Sequence, residues 1–548
     1  MSADVPIGTD DDEFPPAPPV SGAGRAVARA AVVVSSATLA SRILGFLRDL
    51  VVARAFGAGI ASDAFFVAFR LPNLLRRLVA EGALSSAFVP VFTEYVSTRP
   101  RAESLRMLRS VAGVMLLLLG SITVLGVLGA PWIVRVMAPG FFANPAAGEL
   151  TVRLTRLMFP YLLLVGLAAL VMGILNAHRH FLLPALAPVA LNVGIIIGAL
   201  VISPWLSEPV FGLGLGVLLG GLGQLLLQVP WLWARGLLAT PQLALGHPAV
   251  RRVLGLMTPV LVGQSAVHVG TVINTIIASF LAKGSVSYLY YADRLIEFPN
   301  GVFGVAIATA VLPTLSEQAA RRDRAGLRET VSFSLRLVTF VSMPAAIGLF
   351  ILSEPIVRVL YQRGRFGSLE TAGTAGAVAM YALGLVGSSA ARILTQAFFA
   401  LGDTRTPVKV SVFAMALNCT IAATLARPMG HVGLALAIAV AGTVNAIALA
   451  LLLRRRLPGG PIPRARRAWL RSAGISAGLC LLLSAVTRFA PPPDGRIAEG
   501  LWLAAVIVGS TAVYVGCHAA LGSDEVRLAR SALLGRWRRT SLHRGKRR

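Results

Sequence analysis

Charge is what this chain has least of: Asp, Glu, Lys and Arg supply 14% of its 548 residues, against about 25% in a soluble globular protein. With 56% hydrophobic residues and a mean hydropathy of +0.74, that scarcity excludes an ordinary soluble domain. Cysteine is nearly absent. Cys419, Cys480 and Cys517 stand alone inside apolar segments, so they form neither a disulfide framework nor a metal site. No pair of loop carboxylates has the look of a metal centre, which argues against a membrane enzyme and leaves no cofactor to expect. Residues 1–28 are acidic and proline-rich (Asp10 to Glu13, then Pro15, Pro16, Pro18 and Pro19). They lack a basic stretch followed by an apolar run, so 1–29 reads as a disordered cytoplasmic tail and not as a signal peptide.

Long apolar runs are present instead. A helix crosses the hydrocarbon core with about 20 residues, and such segments fall at 30–56, 62–92, 110–134, 148–176, 184–204, 210–234, 252–282, 286–317, 329–353, 373–400, 407–427, 430–453, 470–487 and 500–521. The expectation is an all-α integral membrane protein of about fourteen spans, with connections too short to hide a soluble domain. A net charge of +27 would suggest nucleic acid in a soluble protein, but its distribution argues for topology. Loops after the even-numbered segments, with the C-terminal tail, hold about thirty Lys and Arg and the opposite loops about eight, which places both termini in the cytoplasm. The richest stretches, Arg321–Arg328, Arg454–Arg471 and Arg536–Arg548 within the basic cytoplasmic tail at 522–548, are expected to rest on anionic lipid. His178-Arg179-His180 reads as a solvated cap in a short loop.

The chain also repeats itself. Phe65-Phe-Val-Ala-Phe-Arg-Leu-Pro-Asn73 in segment 2 matches Leu289-Tyr-Tyr-Ala-Asp-Arg-Leu-Ile-Glu297 in segment 8, so that Arg70 aligns with Arg294. Pro90 and Glu94 align with Pro313 and Glu317, and Asn192 with Asn418. A period of about 222 residues contains six segments, and an even number gives two copies of the same orientation. The expected organisation is a lobe at 30–250, a second lobe at 251–456, and two extra helices within 457–521. Substrate sites in such folds lie between lobes.

The charges that do occur inside apolar segments are costly, at about 2.5–3.5 kcal/mol each near the bilayer centre. Segment 1 holds Arg42, Arg48, Asp49 and Arg54; segment 2 holds Asp63, Arg70, Arg76, Arg77 and Glu81; segment 8 holds Asp293, Arg294 and Glu297. Arg42, Gly45 and Asp49 share one helical face, with Gly45 a notch between Arg42 and Arg48. Arg77 with Glu81 and Arg294 with Glu297 are spaced to pair internally. Seven arginines face five carboxylates, which leaves an excess of about two positive charges in search of an anion. Hardly any lysine is used. Guanidinium binds phosphate bidentately and stays protonated when desolvated. Arg54 and Arg77 are placed to snorkel and Arg70 to tie segments together. Helix breakers sit beside the charges, at Pro72-Asn73 and at Pro299-Asn300-Gly301.

The run Ser41-Arg-Ile-Leu-Gly-Phe-Leu-Arg-Asp49, with Ser62-Asp-Ala-Phe-Phe66, Leu71-Pro-Asn-Leu-Leu-Arg-Arg77, Glu81-Gly-Ala83, Tyr290-Tyr-Ala-Asp-Arg-Leu-Ile-Glu-Phe-Pro299 and Asp403-Thr-Arg-Thr-Pro407, closely resembles the MurJ/MviN family of bacterial lipid II flippases. The match runs from residue 30 to about 521. The resemblance implies a fourteen-helix exporter fold in the bacterial inner membrane, and a transporter and not an enzyme, since the substrate is moved unchanged. It implies a monomer that carries undecaprenyl-diphosphate-linked disaccharide-pentapeptide to the outer leaflet for peptidoglycan synthesis. The family's substrate-binding arginines fall on Arg42, Arg48, Arg76 and Arg294, and supporting or gating roles fall on Gly45, Asp49, Asp63, Asn73, Glu81, Ser287 and Glu297. The last two helices correspond to its lipid-tail groove. One departure stands out: members resembling sodium-coupled carriers hold carboxylates in segments 7 and 11, where this chain has Asn274 and Asn418, with Asn445 in segment 12. Membrane potential acting on the arginines is the expected driving force. The alternative is an exporter of another polyprenyl-diphosphate-linked glycan.

Overall fold

In a computed structural model the chain is described over residues 22–238, 240–457 and 462–527, and all regular elements among these residues are helical. The expected acidic stretch before residue 22 and basic tail beyond 527 lie outside them. The first helix, Gly22–Phe56, begins inside the segment that composition assigns to the tail at 1–29. Its opening residues, Arg25-Ala-Val-Ala-Arg-Ala-Ala31, are strong helix formers, and alanine propensity outweighs the acidic, proline-rich stretch ahead of them.

Eight described helices are long and apolar enough to cross a membrane, nine if Ser368–Leu383 and Leu385–Ala400, bent by 44°, form one span. Segments 1, 2, 7 and 8 of the fourteen are not among these. Segments 1, 2 and 8 carry the interior charges, and segment 7 contributes only the shorter apolar stretch His268–Ser279. Segments 11 and 12 run together as Arg405–Arg456, broken at Gly430, whose φ of 59° no bulky side chain adopts easily. Ahead of that helix, the Asp403 carboxylate accepts the backbone N–H of Thr406 at 3.0 Å and its hydroxyl at 2.7 Å, which satisfies a donor that the helix start leaves open.

The helix breakers act in a specific way. Segment 2 runs as Ile60–Leu75, a π-helical Arg76–Leu84, then Ser85–Thr98; segment 8 runs as Ser285–Pro299, a π-helical Asn300–Val305, then Ala306–Ala320. Proline supplies no N–H and crowds the preceding turn, and the freed carbonyls are re-paired in wider turns. The same α, π, α succession thus occurs in both copies of the repeated motif.

Glycine sets the closest packing. Helices Leu182–Ile197 and Val210–Leu226 meet through Gly194, Gly212, Gly216 and Gly220. A Cβ on Gly216 would stand 2.6 Å from the Gly194 carbonyl oxygen, so only hydrogen fits there, as in other small-residue contacts between membrane helices. Aromatic rings join elements distant in sequence: Tyr291 lies 5.5 Å from Phe66, 5.2 Å from Tyr361 and 5.6 Å from Phe366. The last two helices, Ile462–Phe489 and Arg496–Ala520, expose most of their surface. Ion pairs anchor this region to earlier helices, Glu499 to Arg358 at 3.4 Å and Glu525 to Arg336 at 3.6 Å, while Glu525 also ties the end of the chain's last described stretch to Arg471 of Ile462–Phe489 at 2.9 Å.

Candidate functional site

Two helices bring the interior charges together. Gly22–Phe56 presents Arg48 and Asp49, both buried, and Ser285–Pro299 presents Tyr290, Arg294 and Glu297. The Arg48 guanidinium donates from Nε and Nη2 to Asp49 Oδ1 at 3.1 and 2.7 Å. Its Nη1 reaches Asn192 Oδ1 at 3.1 Å and its Nη2 the Tyr290 hydroxyl at 3.0 Å. Asp49 Oδ2 faces Arg294 Nε at 3.1 Å; no aligned hydrogen bond is made there, so this contact is an ion pair alone. Arg294 also donates to Glu297 at 2.7 Å and to the Tyr290 hydroxyl at 3.2 Å. One carboxylate therefore bridges two guanidiniums from different halves of the chain, with a tyrosine hydroxyl between them.

Asp63 makes a second link between halves. Its carboxylate accepts Gly284 N–H at 2.7 Å, Ser287 N–H at 2.8 Å and the Ser287 hydroxyl at 2.6 Å. It caps the start of helix Ser285–Pro299 from across the molecule, where a carboxylate complements the free N–H groups. Gly284 sits at φ 89°, and a Cβ there would stand 2.9 Å from the Ala58 carbonyl oxygen. At the same end Arg365 N–H donates to the Arg54 carbonyl at 3.0 Å. This end of the assembly is closed by backbone and carboxylate contacts.

The other expected site residues are placed differently. Arg42 does not hold Asp49, which is occupied by Arg48 and Arg294; instead its Nη1 lies 3.0 Å from where a Cβ of Gly301 would be. Adjacent residues bend toward each other here because Asp49 is short and the Arg48 stem long, a pairing that face-counting on a helix overlooks. The notch at Gly45 faces the Asn192 amide, 3.6 Å from its Cβ position. Arg76 Nε donates to Asn73 Oδ1 at 3.1 Å. Arg70 reaches Thr275 and the Thr271 carbonyl, tying Ile60–Leu75 to helix Pro248–Ser279. The Glu81 side chain lies outside the described residues. Among the described residues no cluster of His, Cys, Asp and Glu could hold a metal.

The family model described as "Lipid II flippase MurJ" matches residues 52–491. The chain belongs to that family. It is 38% identical to the "Lipid II flippase MurJ" of Burkholderia cenocepacia over 498 residues, covering 89% of this chain and 96% of the relative. It is 39% identical to the "Probable lipid II flippase MurJ" of Vibrio cholerae, covering 78% and 82%. A solved structure, "Lipid II flippase MurJ, inward closed conformation", superposes with a TM-score of 0.74 at 26% identity, over 89% of this chain and 98% of that one. An inward-facing multidrug exporter of the MATE family aligns with a TM-score of 0.63 at 16% identity, covering 78% and 98%, which shows a shared fold alone. The all-helical membrane-transporter fold is thereby established.

Two participants carry no chemical signal in the sequence. Asn192 is marked only by its repeat partner Asn418, whose amide donates to Asn274 at 3.1 Å. Tyr290 stands four residues before Arg294, a spacing that could have suggested their contact; its ring stacks on Phe66 at 3.9 Å.

Proposed function

We propose that this chain carries lipid II, an undecaprenyl-diphosphate-linked disaccharide-pentapeptide, from the inner to the outer leaflet of the bacterial cytoplasmic membrane by alternating access. The observation that carries the reading is the Arg48–Asp49–Arg294 bridge with Tyr290 between the guanidiniums. A diphosphate is a better partner for two arginines than one carboxylate is, because its oxygens accept bidentate bonds from both. On binding it takes over donors now held by Asp49 and by the exposed Glu297, and no covalent chemistry is needed. Arg42 and Arg76 extend the cationic path, and Gly45 and Asn73 shape it.

The same reading holds that fourteen spans form two six-helix lobes plus a C-terminal pair whose apolar surface takes the lipid tail. With both termini in the cytoplasm, the end closed by Asp63, Gly284 and Ser287 faces outward, so substrate enters from the cytoplasmic side. The protein works as a monomer, with anionic lipid against Arg321–Arg328 and Arg454–Arg471. Replacing a test bacterium's essential flippase with this chain, and measuring lipid II exposed on the outer leaflet, tests the proposal. Growth and exposure are expected; a well-inserted protein that restores neither overturns it.

A further inference from the structure

Away from the central charges, a cavity of about 320 Å³ opens where three connections meet, lined by Arg99, Arg101, His178 and Arg235 over an apolar floor that includes Phe92 and Leu237. No carboxylate is among its lining residues. Glu103 pairs with Arg99 at 3.6 Å from outside the lining, and both side chains are exposed, so the pair neutralises little. The cationic wall is built and not merely gathered. Arg101 Nη2 donates to the Arg235 carbonyl at 2.8 Å, and the Arg235 guanidinium lies 4.8 Å from the centre of the Trp231 ring. His178 Nδ1 lies 2.9 Å from the Ile174 carbonyl oxygen. A carbonyl only accepts, so this ring nitrogen is the donor and the contact fixes the ring against its own helix. The His178 ring packs on Trp231 at 5.6 Å, and Trp233 nearby is 75% exposed. Paired tryptophans beside arginines mark the headgroup level of a bilayer.

We propose that this cavity binds the phosphate of an acidic phospholipid, with Arg99, Arg101 and Arg235 on the phosphate and the acyl chains running from the apolar floor along the helices. The loop His178-Arg179-His180 is then part of a lipid site and not a solvated cap. Assignment to the cytoplasmic leaflet rests on the topology proposed above; the binding itself does not.

Native mass spectrometry of the full chain in detergent, titrated with phosphatidylglycerol and with phosphatidylcholine of the same acyl chains, tests this. Phosphatidylglycerol is expected to bind more tightly, and Arg99→Gln with Arg235→Gln to weaken it about tenfold, the loss of one charged hydrogen bond or more. Should the double variant fail to fold, Arg99→Gln alone is expected to weaken it severalfold, since that side chain is exposed. Unchanged phosphatidylglycerol affinity in a folded variant, or equal affinity for phosphatidylcholine, overturns the proposal. Displacement by inorganic phosphate at the lipid's own concentration overturns the lipid assignment. The readout is binding and not translocation, so its failure leaves the flippase reading untouched.

Discussion

Asp49 is the residue on which the central site turns, because it is buried and holds two arginines at once. Arg48→Ala is expected to abolish lipid II translocation in reconstituted vesicles. Asp49 keeps Arg294 and Tyr290, so the stability cost is about 2 kcal/mol, the worth of charged hydrogen bonds, and not a collapse. Thermal melting beside the transport assay separates the two effects. Arg48→Lys should also fail, since one ammonium cannot reach Asp49, Asn192 and Tyr290 together. Asp49→Asn has the opposite signature. It frees two guanidiniums from their bridging charge, so lipid II binding tightens while turnover falls, which a binding titration beside a transport rate would reveal. These contacts were only partly legible beforehand. Arginines in a membrane segment announce themselves by cost, whereas the choice of Arg48 over Arg42 as the partner of Asp49 depends on side-chain reach and on Tyr290 arriving from another helix.

Helices in this chain are specified by two kinds of residue, prolines that open turns and glycines that remove bulk. Both were visible in the sequence, but their consequences differ in how local they are. Pro72 and Pro299 predict a disturbance close by; that it takes the form of a π-helical stretch follows from re-pairing the carbonyls that proline frees. Gly216 predicts nothing until its neighbour is known. Gly216→Val is expected to destabilise the protein by about 3 kcal/mol or more, because its side chain would meet the backbone of helix Leu182–Ile197. A thermal melt in detergent checks this, with the exposed Gly509 as a control position where nothing lies within 4 Å of a Cβ. The short helices Ala130–Met137 and Ser353–Tyr361 were not anticipated at all, since segments chosen by span length pass over elements shorter than a bilayer.

At the scale of the whole molecule, the proposed alternating access requires the end held by Asp63 and Ser287 to open. Asp63 and Ser287 approach within 2.6 Å there, so Asp63→Cys with Ser287→Cys, in a background without native cysteines, is expected to crosslink under oxidant and to bring any residual transport to zero. Reduction should restore the uncrosslinked level; transport that persists through quantitative crosslinking would show that this end does not move. The driving force is a second question of this scale. With Asn274 bonded to Asn418 in place of carboxylates, collapsing the membrane potential is expected to stop transport, whereas exchanging sodium for potassium at constant potential should leave its rate unchanged. A vesicle assay with imposed ion gradients distinguishes the two.

By itself the sequence determined the membrane class, the position of most spans, the repeated motif and the unusual arginines, because each depends on composition or on periodicity within one segment. Hydrophobic length and the cost of buried charge are local quantities that a single strand of text records. Tertiary structure decided which arginine holds Asp49, that Asn192 fills the notch at Gly45, that Asp63 caps a helix from the other half, and that Arg99, Arg101, His178 and Arg235 share one cavity. Each of these joins residues from separate segments. Partners of that kind are selected by helix packing, in which glycine clearance and side-chain reach matter to within an ångström or so, and no periodicity within either segment encodes the outcome.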